Sequence, residues 1–412
     1  MKKLTAMLLA LAMLLSLAAC GSQPQQSGQD NVPPADAQSG SQADPAPNNG
    51  TPGTPDTPDA PAEGADPQMV EYYLGKANEV AVTDTHVTFT HDGTGEEISI
   101  EKGPKNVAVL FGSLTCLWYE AGGTVQLAVG GKSATSLYKE QIGRDITQDE
   151  GVTVVTESSS GTSWDVEKII GGKPDLIVCS TGMKGYSTIS GPAEAAGIPV
   201  IGINYDGVQD YLKWFKVFCN LNGQPQLWDD IAQATAEDIM EVVAKVPQVE
   251  TAPTAIILVM SSDVLKAYTY GSQPGVMLKE LGGVNLVDPG SEGAATSVEI
   301  NLEDIYALDP DIIFMSEFGD TGLHTLEDMF GADPVWQELR AVKNNRVIAL
   351  EKALFHNKAN KNYNESYRTM AQYLYPTANS DPTAGRRLLM GAAPLAAVFT
   401  ASPKPSETGE CV

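Results

Sequence analysis

Two stretches of this chain follow one pattern, and their repetition sets the architecture. Asp165-Val-Glu-Lys-Ile169 leads to Pro174-Asp-Leu-Ile-Val178, and Asn301-Leu-Glu-Asp-Ile305 leads to Pro310-Asp-Ile-Ile-Phe314. In both copies the glutamate stands seven residues before the proline. The pattern predicts a short helix, a turn at the proline and then a buried strand, because a short apolar run bounded by turn residues is typical of a strand inside a parallel sheet.

The same order of elements extends to both sides of these stretches. Val107–Phe111 and Ala255–Val259 are apolar runs that open each copy, and each is followed by a helical stretch that ends in Gly-Gly, a common helix C-cap. Gly197–Ile203 and Asn344–Leu350 are turns that lead into a further buried strand. Strands that alternate with helices predict parallel sheets covered on both faces, so the sequence indicates two similar α/β lobes.

The segment between the copies is helical. Apolar residues recur at helical spacing from residue 210 to residue 246, with a break at Asn222-Gly-Gln-Pro225. A helix of about 20 residues after the break is about 30 Å long, which is enough to bridge two lobes. The predicted parts are an N-terminal lobe (68–207), linking helices (208–250) and a C-terminal lobe (251–376). One long doubly wound sheet is the alternative.

An antiparallel hairpin precedes the first lobe. Val87–Thr90 and Ile98–Ile100 alternate apolar and polar residues on either side of the glycine-containing turn His91–Gly95. This alternation predicts two paired strands.

The start of the chain indicates export and attachment to a membrane. Residues 1–19 carry Lys2 and Lys3 ahead of an uncharged apolar stretch, as a signal peptide does. The stretch ends Leu17-Ala-Ala-Cys20, which resembles the bacterial lipobox and implies a diacylated Cys20 as the mature N-terminus; a plain secretory signal is the alternative. Residues 20–67 hold ten prolines and no Lys or Arg, a composition that predicts a disordered tether.

Composition excludes several classes of protein. Fifty-two acidic against 26 basic residues give a formal charge of −26, which argues against a nucleic-acid-binding protein. Four histidines and no H-E-x-x-H motif give no basis for a metal site, and no cofactor is predicted. No C-x-x-C spacing occurs, so we expect buried free thiols at Cys179 and Cys219 instead of a disulfide framework. Residues 377–412 are predicted to be a disordered tail.

Together these motifs resemble a known family. The lipobox, the lobe–helix–lobe order, the hairpin that leads through Pro104-Lys-Asn-Val107 and the late motifs Leu354-Phe-His-Asn-Lys-Ala-Asn360 and Leu374-Tyr-Pro376 are similar to those of the substrate-binding lipoproteins of ABC importers for iron complexes and cobalamin. The resemblance covers roughly residues 80–376. It implies the class III periplasmic-binding-protein fold, which is two Rossmann-like lobes joined by one long helix, with the ligand in the cleft between them.

Candidate ligand residues follow the predicted strands, because ligands of open α/β sheets bind beyond the carboxyl ends of the strands. Tyrosine offers a large chelate a flat apolar face with a hydroxyl group, although each tyrosine could equally be a half-buried wall residue. The lysines could attract a ferric siderophore or a haem propionate, or be solvated surface charges. Tyr138 and Tyr186 are favoured because Gly/Ser-rich segments surround them. The predicted contacts are Ser113, Lys132, Tyr138, Ser159, Met183, Lys184, Tyr186, Tyr205, Tyr268, Tyr270, Phe318, His356 and Lys358.

Glu167 and Glu303 occupy the same place in the two copies, in the first turn of a helix. The helix dipole favours an acidic residue there, so capping chemistry is the simple interpretation. The resemblance implies more, because in this family one glutamate per lobe pairs with arginines on the two permease subunits. We therefore expect both glutamates to dock on an ABC permease dimer.

The sequence thus predicts a monomeric, lipid-anchored, extracytoplasmic receptor that captures an iron(III)–siderophore-type complex and delivers it to an ABC permease with its ATPase. Haem or cobalamin is the alternative ligand, and His356 could coordinate haem or a metal, or cap a helix. The alternative from another class is an extracytoplasmic esterase that acts on the chelate. It would need a base such as His356 beside Ser113 or Ser261, and no G-x-S-x-G motif supports it, so no catalytic residue is predicted.

Overall fold

The computed structural model describes residues 66–157, 164–261, 264–287, 295–316, 326, 328–355 and 361–376. The described chain begins with helix α1 (Pro67–Asn78) and strand β1 (Ala81–Val82). Strand β2 (His86–Thr90) pairs antiparallel with β3 (Glu97–Glu101), which confirms the predicted hairpin. The three strands form a small sheet in the order β1-β2-β3.

The N-terminal lobe alternates strands and helices. In chain order its elements are β4 (Val107–Val109), α2 (Gly112–Glu120), β5 (Leu127–Val129), α3 (Gly131–Gln141), β6 (Thr153–Thr156), α4 (Val166–Gly171), β7 (Leu176–Ser180), α5 (Lys184–Ala195) and β8 (Val200–Ile203). Within the described residues these strands form a parallel sheet in the order β6-β5-β4-β7-β8. β4 and β5 are buried at every position, as expected of strands that helices cover on both faces.

Two helices, α6 (Val208–Leu221) and α7 (Ala234–Ala244), link the lobes. The chain turns after α6 at the predicted break, and a π-helical stretch, Trp228–Gln233, runs directly into α7. Most of α6 is buried, and Trp214 and Phe215 have no exposed surface. The link is therefore an internal element of the fold, packed on several sides.

The C-terminal lobe repeats half of the N-terminal plan. Its elements are β9 (Thr254–Ser261), β10 (Val264–Tyr268), α8 (Gln273–Glu280), β11 (Val284–Asn285), β12 (Ser297–Glu299), α9 (Leu302–Leu308), β13 (Ile312–Ser316), α10 (Pro334–Glu338), α11 (Arg340–Lys343), β14 (Val347–Leu350), α12 (Lys352–Phe355) and α13 (Tyr363–Leu374). The described strands follow the order β12-β10-β9-β13-β14, with β11 beside β9. β9, β13 and β14 are parallel and take the places of β4, β7 and β8, whereas β10 runs antiparallel to both of its neighbours, β9 and β12.

An apolar core joins the lobes along the linking helices. It combines Tyr73 of α1, Trp118 of α2, Trp214 of α6, Ile257 of β9 and Met370 of α13. The outer face of each sheet has a core of its own. The two sheets are therefore separate, but their inner faces share one packed layer of helices.

Cys116, Cys179 and Cys219 are buried free thiols, which confirms the expectation for Cys179 and Cys219. Burial raises the pKa of Cys179 to about 12, so this thiol stays protonated and unreactive. Among the described residues, no helix is both long and apolar enough to cross a bilayer. Cys20, the predicted signal peptide and the 377–412 tail lie outside the described residues.

Candidate functional site

Four of the predicted contacts gather at the carboxyl edge of the N-terminal sheet. Ser113 lies in the first turn of α2, Lys132 in that of α3, and Met183 and Lys184 at the start of α5. Ser113 and Met183 are partly buried, whereas Lys132 and Lys184 are exposed. Because β4, β5 and β7 are parallel, their carboxyl ends bring these helix N-termini to one edge, where ligands of such sheets bind.

Gly131 shapes this edge between β5 and β6. Its φ angle is +83°, and a Cβ atom there would lie 2.2 Å from the carbonyl oxygen of Glu157. Glycine is the residue that tolerates both the positive φ and the close approach. The first turn of α3 can therefore lie directly against the end of β6.

Tyr138 and Tyr205 lie in the core of the lobe. Tyr138 has no exposed surface, and its hydroxyl donates to the carbonyl of Val129 at 2.9 Å. Tyr205 is 3% exposed. Burial raises the pKa of both hydroxyls, so both remain neutral. In this arrangement Tyr138 offers no surface to a ligand.

Tyr186 packs beside the edge strand β8. A Cβ atom at Gly202 would lie 2.6 Å from its ring, and one at Gly93, in the hairpin turn, would lie 2.2 Å from its hydroxyl oxygen. The side chain is partly buried. Tyr186 thus fills the corner between α5, β8 and the hairpin, and its glycine-rich surroundings serve this packing.

Tyr268 and Tyr270 lie at different distances from the carboxyl edge of the C-terminal sheet. β10 runs antiparallel to β9 with Ala267 opposite Leu258, so the backbone of Tyr268 lies about halfway back along β9, while its side chain lies near Ser316 at the end of β13. Tyr270 lies further back, where its hydroxyl accepts from the backbone N–H of Asn285 at 2.8 Å. Sequence reasoning placed both tyrosines after a strand, but the antiparallel direction of that strand carries Tyr270 to the other end of the sheet.

Several predicted residues cannot be located. Ser159, Phe318, His356 and Lys358 lie outside the described residues, as does Cys20.

A cavity of about 520 Å³ lies between the lobes. Helices α2 and α3 form one wall, the π-helical stretch contributes Ile231, and α12 with the start of α13 forms the opposite wall. This volume is typical of small-molecule sites, which span roughly 300–1,000 Å³. None of the predicted ligand residues in the described part of the chain lines it. Its polar wall includes Tyr119, Glu120, Glu140, Arg144, Lys361 and Asn362.

A wider groove of about 970 Å³ lies at the amino edge of the N-terminal sheet, beside Lys102, Lys105 and Lys173. Among the residues that the structure describes, those that line it belong to the N-terminal lobe and the small sheet. It is therefore not a candidate for a site that depends on two lobes.

Glu120, the last residue of α2, is a largely buried acid in the wall of the cavity. Its carboxylate accepts a hydrogen bond from the backbone N–H of Lys361, across the lobes, at 3.2 Å. Burial raises the pKa of the carboxyl group to about 7, and the charge of Lys361 partly opposes the shift. Sequence reasoning missed Glu120 because it closes a helix instead of following a strand.

Arg144 and Lys361 are the cations among the described residues of the cavity wall, and Arg144 already has partners. Its guanidinium binds Asp149 at 2.9 Å and lies over the ring of Tyr119, 5.6 Å from the centroid. Lys361 is exposed at the mouth. The part of the cavity wall that the structure describes therefore carries mixed charge, with acids and bases side by side.

Glu167 and Glu303 are both exposed in the first turns of α4 and α9. Other side chains cap these helices. Asp165 accepts from the first turn of α4 at 2.9 Å, and Asn301 with Asp304 forms a capping box at the start of α9. Neither glutamate therefore caps its helix by a hydrogen bond; the helix dipole still favours an acid at both positions, and both carboxylates face solvent.

A family model described as periplasmic binding protein matches residues 107–354, more than half of the chain. The chain belongs to the periplasmic binding protein family. This match confirms the family resemblance inferred from the sequence. Periplasmic binding proteins bind substrates and are not enzymes, which agrees with the absence of a predicted catalytic residue.

Two similar proteins come from Bacillus subtilis (strain 168). The ABC transporter substrate-binding lipoprotein YvrC is 22% identical over 294 residues, which cover 69% of this chain and 84% of YvrC. The Fe(3+)-citrate-binding protein YfmC is 26% identical over 259 residues, which cover 62% of this chain and 76% of YfmC. Both alignments span most of the relative, so the chain matches whole binding proteins.

Solved structures confirm the fold. The triscatecholate siderophore binding protein FeuA from Bacillus subtilis, complexed with ferri-bacillibactin, has a TM-score of 0.53 at 17% identity and matches over 70% of this chain and 97% of its own. IsdE from S. aureus, complexed with heme, has a TM-score of 0.52 at 16% identity and matches over 66% of this chain and 100% of its own. At these identities the likeness establishes the two-lobed periplasmic binding protein fold alone.

Proposed function

We propose that the protein is the lipid-anchored, extracytoplasmic receptor of an ABC importer and that it captures an iron(III)–siderophore-type complex. The observation that carries the proposal is the cavity of about 520 Å³ that both lobes line. YvrC, an ABC transporter lipoprotein by name, supports the importer, and YfmC, named for iron(III) citrate, supports an iron complex. Diacylation of Cys20 would hold the receptor at the membrane, because two acyl chains give stable anchoring.

The complex would lie in this cavity, beside the C-terminal ends of α2 and α3 and against the facing wall of the C-terminal lobe, with Glu120 and Lys361 on its walls. Ser113, Lys132, Met183 and Lys184 lie at the carboxyl edge of the sheet and do not line the cavity, so they remain proposed contacts for the part of the complex that projects beyond it. Binding would close the lobes by a small hinge motion, because the linking helices are packed into the shared core.

Native mass spectrometry of the purified protein with a panel of chelates tests this function. The panel contains ferric siderophores, ferric citrate, haem and cobalamin, and each siderophore is also offered without iron. We expect one ferric complex per chain and no complex with the iron-free form. A mass shift with haem alone, together with a shifted Soret band, would show that the ligand is haem and not an iron chelate. Binding of no panel member would contradict the proposal.

The two exposed glutamates are proposed to dock on the permease. Simultaneous Glu167→Ala and Glu303→Ala substitution should abolish cellular uptake of the chelate and leave its affinity for the purified protein unchanged, because neither residue lines the cavity. Glu241→Ala with Glu250→Ala, two exposed acids of the linking region, provides the matched control. Normal uptake by the Glu167/Glu303 variant would refute the docking role.

A further inference from the structure

We infer that the cavity between the lobes accepts an iron complex without net negative charge, and that the carboxyl group of Glu120 makes this selection. The inference rests on the proposed function and narrows its ligand class. It follows from the position of Glu120, from the groups that face it and from the charge of the whole chain.

Glu120 lies where its own helix gives its charge no support. It is the last residue of α2, and the C-terminal end of a helix carries partial negative charge. The contact that crosses the lobes to its carboxylate is the backbone N–H of Lys361, at 3.2 Å. An anion in the cavity would therefore approach a carboxylate that the fold stabilises weakly. A cation would supply the positive charge that this carboxylate lacks, and a hydrogen-bond donor would supply a further hydrogen bond.

The other ionisable groups that the structure describes around Glu120 do not reverse its effect on an anion. Glu140 of α3 adds a second carboxylate to the same wall. Cys116 of the same helix and Tyr211 of α6 remain neutral, because burial raises the pKa of both. Neither group supplies positive charge to an anionic ligand.

The two cations among the described residues of the wall leave little attraction for an anion. Arg144 is engaged by Asp149 at 2.9 Å, so its charge is matched within the N-terminal lobe. Lys361 is exposed at the mouth, where water screens it. Lys132 and Lys184, which could serve an anionic chelate, are exposed on α3 and α5 and do not line the cavity.

The electrostatic field of the whole chain also disfavours anionic ligands. The chain carries a formal charge of −26, and a field of this sign slows the approach of anions and speeds that of cations. A complex with several negative charges would have to overcome both this field and the two carboxylates of the wall. An uncharged or cationic complex faces neither cost.

Proton linkage gives this selection a signature that packing alone would not produce. A bound anion raises the pKa of Glu120 further, so its binding takes up a proton and its affinity falls as pH rises through neutrality. A bound cation lowers that pKa, so its affinity rises over the same interval. The pH slopes for the two ligand classes therefore have opposite signs.

The experiment is titration calorimetry of the full chain with monocationic ferrioxamine B, uncharged ferrichrome and the trianionic ferric complex of a tris-catecholate, at about pH 6 and about pH 8. We expect the cationic or the uncharged complex to bind at least about tenfold more tightly than the trianion at the higher pH. Glu120→Gln should reduce this difference in affinity and remove the dependence of each affinity on pH. Glutamine keeps the shape of the side chain and its hydrogen-bond acceptor but has no charge. Glu241→Gln, an exposed acid on α7, should change neither the difference nor the pH dependence.

A second variant covers the case in which Glu120→Gln unfolds. Glu140→Gln removes a negative charge from the same wall at an exposed position and should also reduce the difference in affinity. The charge selection would be overturned if the wild-type protein bound the trianion most tightly, or if both variants left the difference in affinity unchanged. The proposed function would stand in either case. Failure of every ferric complex to bind would remove the proposed function and the inference with it.

Discussion

The lobes meet in two regions that differ in kind. On the side of the linking helices they share a dry core built from large side chains of α1, α2, α6 and α13. Next to this core, polar groups such as Glu120 and Lys361 line a cavity of about 520 Å³, to which the linking stretch contributes Ile231. Because separating an apolar core costs far more than separating hydrated polar groups, the apolar core is the pivot and the polar region around the cavity is the part that opens.

Helix α1 strengthens the pivot beyond what the linking helices provide. Glu280 of α8 accepts hydrogen bonds from Tyr72 at 2.6 Å and Tyr73 at 2.9 Å, both on α1, and from Tyr367 of α13. Lys76 at the other end of α1 pairs with Asp210 of α6 at 2.6 Å. The first described helix therefore ties the C-terminal lobe to the link, and two connections limit the hinge motion to a small amplitude.

The largest expected effect comes from breaking the core of the pivot at Trp214. Its ring packs edge-on against Phe89 at 5.3 Å and its indole N–H donates to Asp92 at 3.1 Å. Trp214→Ala should lower the free energy of unfolding by about 4 kcal/mol, as is typical of buried tryptophans. Urea denaturation measures this loss, with Tyr306→Ala at an exposed position as the control. A loss below about 1 kcal/mol would mean that the link is not held by tight packing against the hairpin.

The next effect tests the tyrosine cluster around Glu280. Glu280→Ala leaves the hydroxyls of Tyr73 and Tyr367, each 1% exposed, without their acceptor. Such buried donors cost about 1–3 kcal/mol each, so we expect a loss of about 3 kcal/mol in unfolding free energy. Hydrogen exchange of the α1 amides should become faster in the same variant. Unchanged protection of α1 would show that the helix is held by other contacts.

A smaller effect belongs to the polar region around the cavity and depends on pH. The pKa of Glu120 is raised from 4.5 to about 7 in the folded chain, so the stabilisation by its neutral form is present in acid and is lost as pH rises between these values. Relative to wild type, Glu120→Gln should therefore gain about 2 kcal/mol of stability between about pH 5 and about pH 8. Parallel urea denaturation of both proteins at each pH measures the difference. If the difference in unfolding free energy between the two proteins stayed constant with pH, the carboxyl group of Glu120 would be solvated and not buried.

The residue patterns of the sequence predicted the three strands of each sheet that have a counterpart in the other lobe. The apolar runs of β4, β7 and β8 and of β9, β13 and β14 are short, continuous and bounded by turns, and the structure places them at matching positions. The other strands differ, because β10 runs antiparallel to β9 and β12, whereas β5 is parallel to β4 and β6. Alternating residues indicate a strand but do not encode its direction, so the displacement of Tyr270 from the carboxyl edge could not be foreseen.

The candidate site was predictable to the same degree. Ser113 and Lys132 follow strands, so a rule about strand ends finds them. Glu120 and Lys361 end one helix and precede another, and they are far apart in the sequence. Only the packing of the lobes brings them together, so a pattern confined to one segment carries no sign of their contact.

The most direct test of the account fills the cavity. Ala353 of α12 lines its C-terminal wall, and Ala353→Trp would occupy space that the chelate needs. Calorimetric titration with the ferric chelate identified by mass spectrometry should show affinity at least about tenfold weaker than wild type. Ala244→Trp, at an exposed position on α7, should bind normally. Unchanged affinity in a correctly folded Ala353→Trp protein would contradict a ligand site between the lobes.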